Sequence, residues 1–248
     1  MLPFWIALQF LTVIPIQLKQ IPTATQNAQS LLFYPLIGLL IGGILFGLSI
    51  LFAKLPLILL SSIILVIWIW LTGGLHLDGL ADTADAWVGG FGDQQRTLKI
   101  MKDPACGPIG VLSLILICLL KFAALYVLLQ QHGNLFLVLI PALGRSVPLF
   151  LFLTTNYVRE KGLGQSMTEL MPKTSTWLVF AITLSLLCLY KWQGLIVLIS
   201  FLSLLIYLRS LFIKRIGGIT GDTIGAAIEI LEAVSLLVFV VLSFYTLN

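Results

Sequence analysis

The sequence predicts an all-α protein: a polytopic bundle of about seven transmembrane helices with an N-terminal helix lying at the membrane interface. Three observations carry this. Hydrophobic residues make up 59% of the chain and charged residues 10%, against about 25% charged in a soluble domain. Mean hydropathy is +1.09, too high to conceal in one water-soluble core. Apolar runs of the ~20 residues that a bilayer crossing needs recur along the whole chain.

The expected spans are 31–53, 55–75, 108–130, 134–154, 175–191, 192–211 and 226–247. Within lipid their backbones must bond internally, so they are helices. A transmembrane barrel would show short alternating segments. Here the runs are continuous, as in Leu31–Ala53. The N-terminal MLPFWIALQFLTVIPI is apolar but bracketed by Pro3 and Pro15. It lacks a basic leader and a cleavage site, so a short interfacial or re-entrant helix is expected. No repeat, low-complexity tract or linker divides residues 1–248, which read as one membrane domain.

Cys106, Cys118 and Cys188 have no paired spacing, so neither a disulfide framework nor a thiolate metal site is expected. The net charge of +4 does not point to nucleic acid, and the expected large partner is membrane lipid. The distribution of charge is more telling. With the spans above, Lys19, Arg96, Lys99, Lys102, Arg159, Lys161, Lys173, Arg209, Lys214 and Arg215 fall on one side. Only Lys54 and Lys191 fall on the other, with Lys121 and Arg145 inside spans. The positive-inside rule puts the basic side, with its three long polar loops, in the cytoplasm. The expected location is a bacterial or archaeal inner membrane with the active site facing the cytoplasm.

The strongest local signal is TGGLHLDGLADTADAWVGGFGD (Thr72–Asp93). Asp78, Asp82 and Asp85 stand at i, i+4 and i+7, one stripe of a helix. Exposed like charges at that spacing repel by roughly a few tenths of a kcal/mol per pair, and by more when desolvated. No Lys or Arg lies between Leu55 and Gly92 to offset them. A bound cation would hold them together, and carboxylate oxygens suit Mg²⁺ or Mn²⁺. A solvated amphipathic helix is the plainer reading. The flanking Leu75, Leu77, Leu80, Ala81, Ala84 and Trp87 argue against it, because acids beside a span are costly and usually functional. His76 lies about 200° around such a helix from Asp78. It reads as a supporting donor, a proton carrier or a simple interfacial histidine.

Other polar islands surround this one. MKDPACGPIG (Met101–Gly110) offers Lys102 and backbone N–H groups to a phosphate at a helix start, or is an ordinary turn into a span. Arg145 stands inside a predicted span between Pro141 and Pro148. Its expected partner is an anionic ligand or an aspartate, with a structural pair to another acid as the alternative. YVREKGLG (Tyr157–Gly164) supplies Arg159 and Lys161 for phosphate, or is a solvated basic loop. GGITGDTIGAAIEI (Gly217–Ile230) is a Gly-rich helix opening in which Gly218, Thr220 and Gly221 can approach phosphate. Asp222 can join the metal there. Glu229 and Glu232 lie deeper in the last span and read as polar-cavity residues. No GK[ST] is present, so this is not a Walker motif.

In this order the islands resemble the cobalamin synthase family, the adenosylcobinamide-GDP ribazoletransferases. LQFLTVIPI, YPLIGLLIGG, GGLHLDGLADTADAW, MKDPACGPIG, Arg145, YVREKGLG and GGITGDTIGAAIEI carry the resemblance over nearly the whole chain. The chain departs from the family's usual pattern at Ala86, at Pro104-Ala105-Cys106 and at Gln29. The resemblance implies a Mg²⁺-dependent transferase. It would join adenosylcobinamide-GDP to α-ribazole or its 5′-phosphate, with release of GMP. Asp78, Asp82, Asp85 and Asp222 would hold the metal, and Asp78, Asp82, Arg145 and His76 would serve catalysis. Lys102, Arg159, Lys161, Gly218, Thr220 and Gly221 would hold phosphate. A CDP-alcohol phosphotransferase is a rival, but its DG-x-x-AR pattern fails because Leu80, Ala81 and Asp82 follow Asp78-Gly79. A cation transporter is a second rival, with Asp78, Asp82, Arg145 and Glu229 lining a path.

Overall fold

The computed structural model describes residues 2–18, 20–159 and 163–245. Among these the structure is helical, and the only β pairing is an isolated bridge between Tyr157 and Ile219. Helix α1 (Leu2–Leu11) is about 15 Å long at 1.5 Å per residue, too short to cross a bilayer. It buries Ile6, Ala7, Leu8 and Leu11 and leaves Trp5 and Phe10 exposed. Helix α2 (Ala24–Ser30) starts at a reciprocal cap: Gln26 N–H donates to the Thr23 hydroxyl (3.3 Å) and Thr23 N–H to the Gln26 side chain (2.9 Å). A 3-10 turn (Leu31–Phe33) leads into α3 (Tyr34–Leu51).

Gly38 and Gly42 lie one turn apart on α3, against α8 (Phe136–Thr154). A Cβ at either position would stand 2.5 Å from the backbone of α8, at Ala142 Cα and the Leu137 carbonyl oxygen. In lipid, helices associate by close packing rather than by a hydrophobic drive, and small residues permit the approach.

Helix α4 (Leu57–Leu71) is followed by Gly73 and Gly74 at φ 61° and 69°, a left-handed backbone that favours glycine. Helix α5 (Leu75–Gly89) leaves α4 at 86°. The expected continuous span 55–75 is therefore corrected to a helix of about 22 Å and a helix turned across its end. The end of α1 is held there too, because Val13 N–H donates to the Leu71 carbonyl (2.9 Å). The remaining helices are α6 (Gln94–Ile100), α7 (Pro108–Gln130), α8, α9 (Leu163–Leu170), α10 (Lys173–Ser185), α11 (Lys191–Ile216) and α12 (Gly221–Ser243). A 3-10 stretch (Leu186–Tyr190) joins α10 to α11.

Five helical stretches of the described residues are long and apolar enough to cross a membrane, or six with the bent α4–α5 pair. Length and hydropathy do not resolve the expected seven crossings. Residues 173–216 form one 44-residue stretch, interrupted where Lys191 takes φ 51°, ψ −129°. Helices α8 and α12 form the centre: 83% and 72% of their apolar windows are buried, against 28% for α7 and the 173–216 stretch. The outer helices show Ile58, Val66, Leu119, Leu178 and Ile199 to the surroundings, as helices facing lipid do.

Candidate active site

The acidic run folds as one helix, α5, and its glycine sets the site. Gly79 lies against α12, where a Cβ would stand 2.8 Å from the Asp222 carbonyl oxygen. One turn along, a Cβ at Gly225 would stand 3.2 Å from the backbone of His76. The two helices cross at backbone contact, and the crossing brings Asp78 and Asp82 beside Asp222. Helix α5 runs across the bundle end, outside the crossing direction of α4, and Asp82 there is half-buried. Burial, then the charges of Asp78 and Asp222, push its carboxyl up to about 6. Arg159 answers part of that charge. Its guanidinium pairs with the Asp222 carboxylate and donates to the Met101 carbonyl (3.2 Å).

Asp85 is placed differently. Its two oxygens accept the Gly107 and Gly110 N–H groups (2.6 and 2.8 Å) at the opening of α7. That is a charged cap on a helix N-terminus, and it fastens the 101–110 turn to the acidic helix. The same turn reaches α12 through Met101, whose sulfur accepts from the Thr220 hydroxyl (3.2 Å). Thr220 is the N-cap of α12, accepting from Thr223 N–H (3.2 Å). Gly218 is buried against the Asn156 carbonyl. Both therefore have structural duties, whereas Gly221 is exposed beside Asp222 and Lys102 is exposed on its turn. Lys161 lies outside the described residues.

A cavity of about 310 Å³ opens at this crossing. Asp78, Asp222, Gly221 and His76 border it; Asp82 does not. His76 is buried and its Nδ1 has no partner among the described residues. The other walls come from Phe10, Tyr34, Phe152, Tyr157, Met167 and Ile228. Sequence alone does not mark these residues as cavity walls, because aromatic residues in apolar runs look like core. Phe10, Tyr34, Tyr157 and Ile228 nonetheless lie within LQFLTVIPI, YPLIGLLIGG, YVREKGLG and GGITGDTIGAAIEI.

Arg145 is fully buried at the bundle centre. It pairs with Glu232, not with an aspartate of α5. Glu232 also accepts from Lys121 Nζ (2.7 Å), which donates to Glu229 as well (2.6 Å) and lies 4.4 Å from the Trp68 ring centroid. Two cations and two acids thus close a neutral cluster joining α7, α8 and α12. None of the four borders the cavity.

Among the described residues, no three His, Cys, Asp or Glu side chains stand close enough to hold an ion by themselves. The donor chemistry nonetheless fits a hard cation. Asp78, Asp82 and Asp222 are hard oxygen donors that crowd one another, and Mg²⁺ is commonly held by one or two carboxylates together with substrate phosphates.

Fold and site define a helical membrane protein with a carboxylate-edged pocket where α5 crosses the start of α12. The sequence matches the family described as cobalamin-5-phosphate synthase over residues 3–240, and the chain belongs to that family. It is 68% identical over 245 residues to an adenosylcobinamide-GDP ribazoletransferase of Acinetobacter baumannii, covering 99% of each chain. It is 51% identical over 233 residues to one from Pseudomonas fluorescens, covering 94% of this chain and 96% of the relative. No solved structure matches.

Proposed function

We propose that this protein is an adenosylcobinamide-GDP ribazoletransferase. A ribose hydroxyl of α-ribazole, or of its 5′-phosphate, attacks the phosphorus on the cobinamide side of the diphosphate. A new phosphorus–oxygen bond to ribose forms, the bond to GMP breaks, and GMP leaves. The observation that carries this reading is the crossing of α5 and α12, which edges one cavity with Asp78 and Asp222 and sets Arg159 on Asp222.

Asp78, Asp82 and Asp222 are the residues that would hold Mg²⁺. When bound, the ion supplies charge neutralisation on the diphosphate oxygens. Arg159 is placed to turn from Asp222 towards a phosphate, and Lys102 and Lys161 would add charge from the neighbouring turns. Asp78 and His76, both on the cavity wall, would take the proton that the attacking hydroxyl loses. Asp85 holds the 101–110 turn against α5, and Arg145 holds α8 to α12. In this reading both position the site and touch no substrate.

The proposed topology has seven crossings. A 44-residue helical stretch is about 66 Å long, twice a bilayer's ~30 Å hydrocarbon core, so the break at Lys191 separates two spans. The loops rich in Lys and Arg then face the cytoplasm across an inner membrane, and the site faces the same way.

The test is GMP release by purified protein given adenosylcobinamide-GDP, α-ribazole and Mg²⁺. Release that needs all three, and is lost in Asp82→Asn while that variant still folds in detergent, supports the reading. No release from the wild type rejects the reaction.

A further inference from the structure

We infer that the cavity at the α5–α12 crossing seats the flat base of the nucleoside acceptor, while the corrinoid stays outside and only its diphosphate reaches the carboxylates. This rests on the transfer reaction proposed above and assigns one of its two substrates to a place.

Size is the first argument. About 310 Å³ is the low end of small-molecule pockets, which run roughly 300–1,000 Å³. That volume suits one nucleoside and excludes a corrin macrocycle carrying a nucleotide.

Wall chemistry is the second. Phe10 and Tyr34 stack with centroids 6.1 Å apart at 23°, and Phe152 and Tyr157 lie 6.1 Å apart at 31°. All four rings border the cavity. The Tyr34 hydroxyl is engaged beside Ser30, and the Tyr157 hydroxyl lies against Gly221. What remains for a ligand is ring surface, together with Met167 and Ile228. Aromatic faces receive flat rings in offset or edge-on contact.

Polarity separates the two bases on offer. The base of ribazole is a benzimidazole, with two ring nitrogens and no exocyclic amine or carbonyl. It can enter an apolar slot with almost no hydrogen bond lost. The guanine of the donor carries a carbonyl, a ring N–H and an amino group. Each left unpaired against these walls would cost about 1–3 kcal/mol. The polar groups of the cavity, His76, Asp78 and Asp222, are left for the sugar. A base seated among the aromatic rings therefore directs its ribose towards the carboxylates, where the attacking hydroxyl is needed.

The experiment uses the full chain in nanodiscs with Mg²⁺. It reads KM for each substrate and the binding of radiolabelled α-ribazole by equilibrium dialysis. Met167→Trp narrows the cavity from α9, and Ile228→Phe narrows it from α12 should the first variant not fold. Either should raise the KM and dialysis Kd for α-ribazole by ~10-fold or more, with the donor KM moving less than ~2-fold. Phe152→Ala should raise kcat/KM for a bulkier naphthimidazole nucleoside relative to α-ribazole by ~10-fold. A raised donor KM with the acceptor unmoved would place the donor in the cavity and overturn the inference. So would narrowing variants that alter neither substrate. A wild-type protein that binds α-ribazole but releases no GMP would count against the reaction and leave the cavity assignment standing.

Discussion

Replacing Glu232 by Gln tests the buried cluster. In the native protein Lys121 and Arg145 carry two positive charges, and Glu229 and Glu232 carry two negative ones, so the cluster is neutral. All four side chains are buried. Glutamine preserves the volume but leaves a net charge of +1 in the centre of the bundle. It also leaves one acceptor oxygen where Lys121 and Arg145 each had their own. Breaking a buried pair from one side costs about 3–5 kcal/mol, and that is the expected loss for Glu232→Gln. The assay is thermal unfolding in detergent, followed by loss of helical circular dichroism. Adding Lys121→Met restores neutrality, with one cation, Arg145, and one acid, Glu229, and should recover part of the loss. A single variant within about 1 kcal/mol of wild type, or a double variant worse than the sum of its parts, would refute the charge argument.

Four further outcomes are expected. Gly79→Val places side-chain atoms where a Cβ is already 2.8 Å from the Asp222 carbonyl. Overpacking of this kind costs about 1–3 kcal/mol, and GMP release should fall by at least ~10-fold through misplaced carboxylates. Gly42→Leu at the α3–α8 contact, where a Cβ would meet backbone at 2.5 Å, should lower the yield of folded protein in detergent, with Gly43→Leu, which faces open space, as the tolerated control. Asp85→Asn keeps one acceptor for the start of α7 and should cost ~1–2 kcal/mol of stability while retaining measurable turnover, unlike Asp82→Asn. The pH profile should follow Asp82. Its carboxyl is raised to about 6, so the fold disfavours its ionised form, and metal-free stability should decline as pH rises through 4 to 6. Mg²⁺ favours the ionised form. Turnover at limiting Mg²⁺ should therefore fall as pH drops through about 6, with a midpoint that moves lower as Mg²⁺ is raised.

The sequence exposed the chemistry better than the packing. Asp78, Asp82 and Asp85 announce a helix because a three-residue stripe at i, i+4 and i+7 is a local property, and α5 is that helix. Gly73 and Gly74 likewise announce a break, though not its 86° angle. The partner of Arg145 was not legible, since Glu232 lies 87 residues away and the pairing depends on the register of α8 against α12. Lys121 shows in the sequence only as a charge inside an apolar run, with no partner named, yet it anchors both glutamates. Asp85 looked equivalent to its neighbours because stripe geometry cannot say that the N–H groups of Gly107 and Gly110 will claim its oxygens. The expected boundary between 175–191 and 192–211 falls at the Lys191 break, whereas continuous hydropathy over 55–75 hides the shortening of α4.

The most direct test of the proposed chemistry follows the phosphorus. Purified protein is given α-ribazole, Mg²⁺ and adenosylcobinamide-GDP labelled with ³²P at the cobinamide-side phosphorus, and the products are separated. The label should stay with the corrinoid, now joined to ribazole, and the released GMP should be unlabelled. Label leaving with the guanosine product would contradict the proposed chemistry.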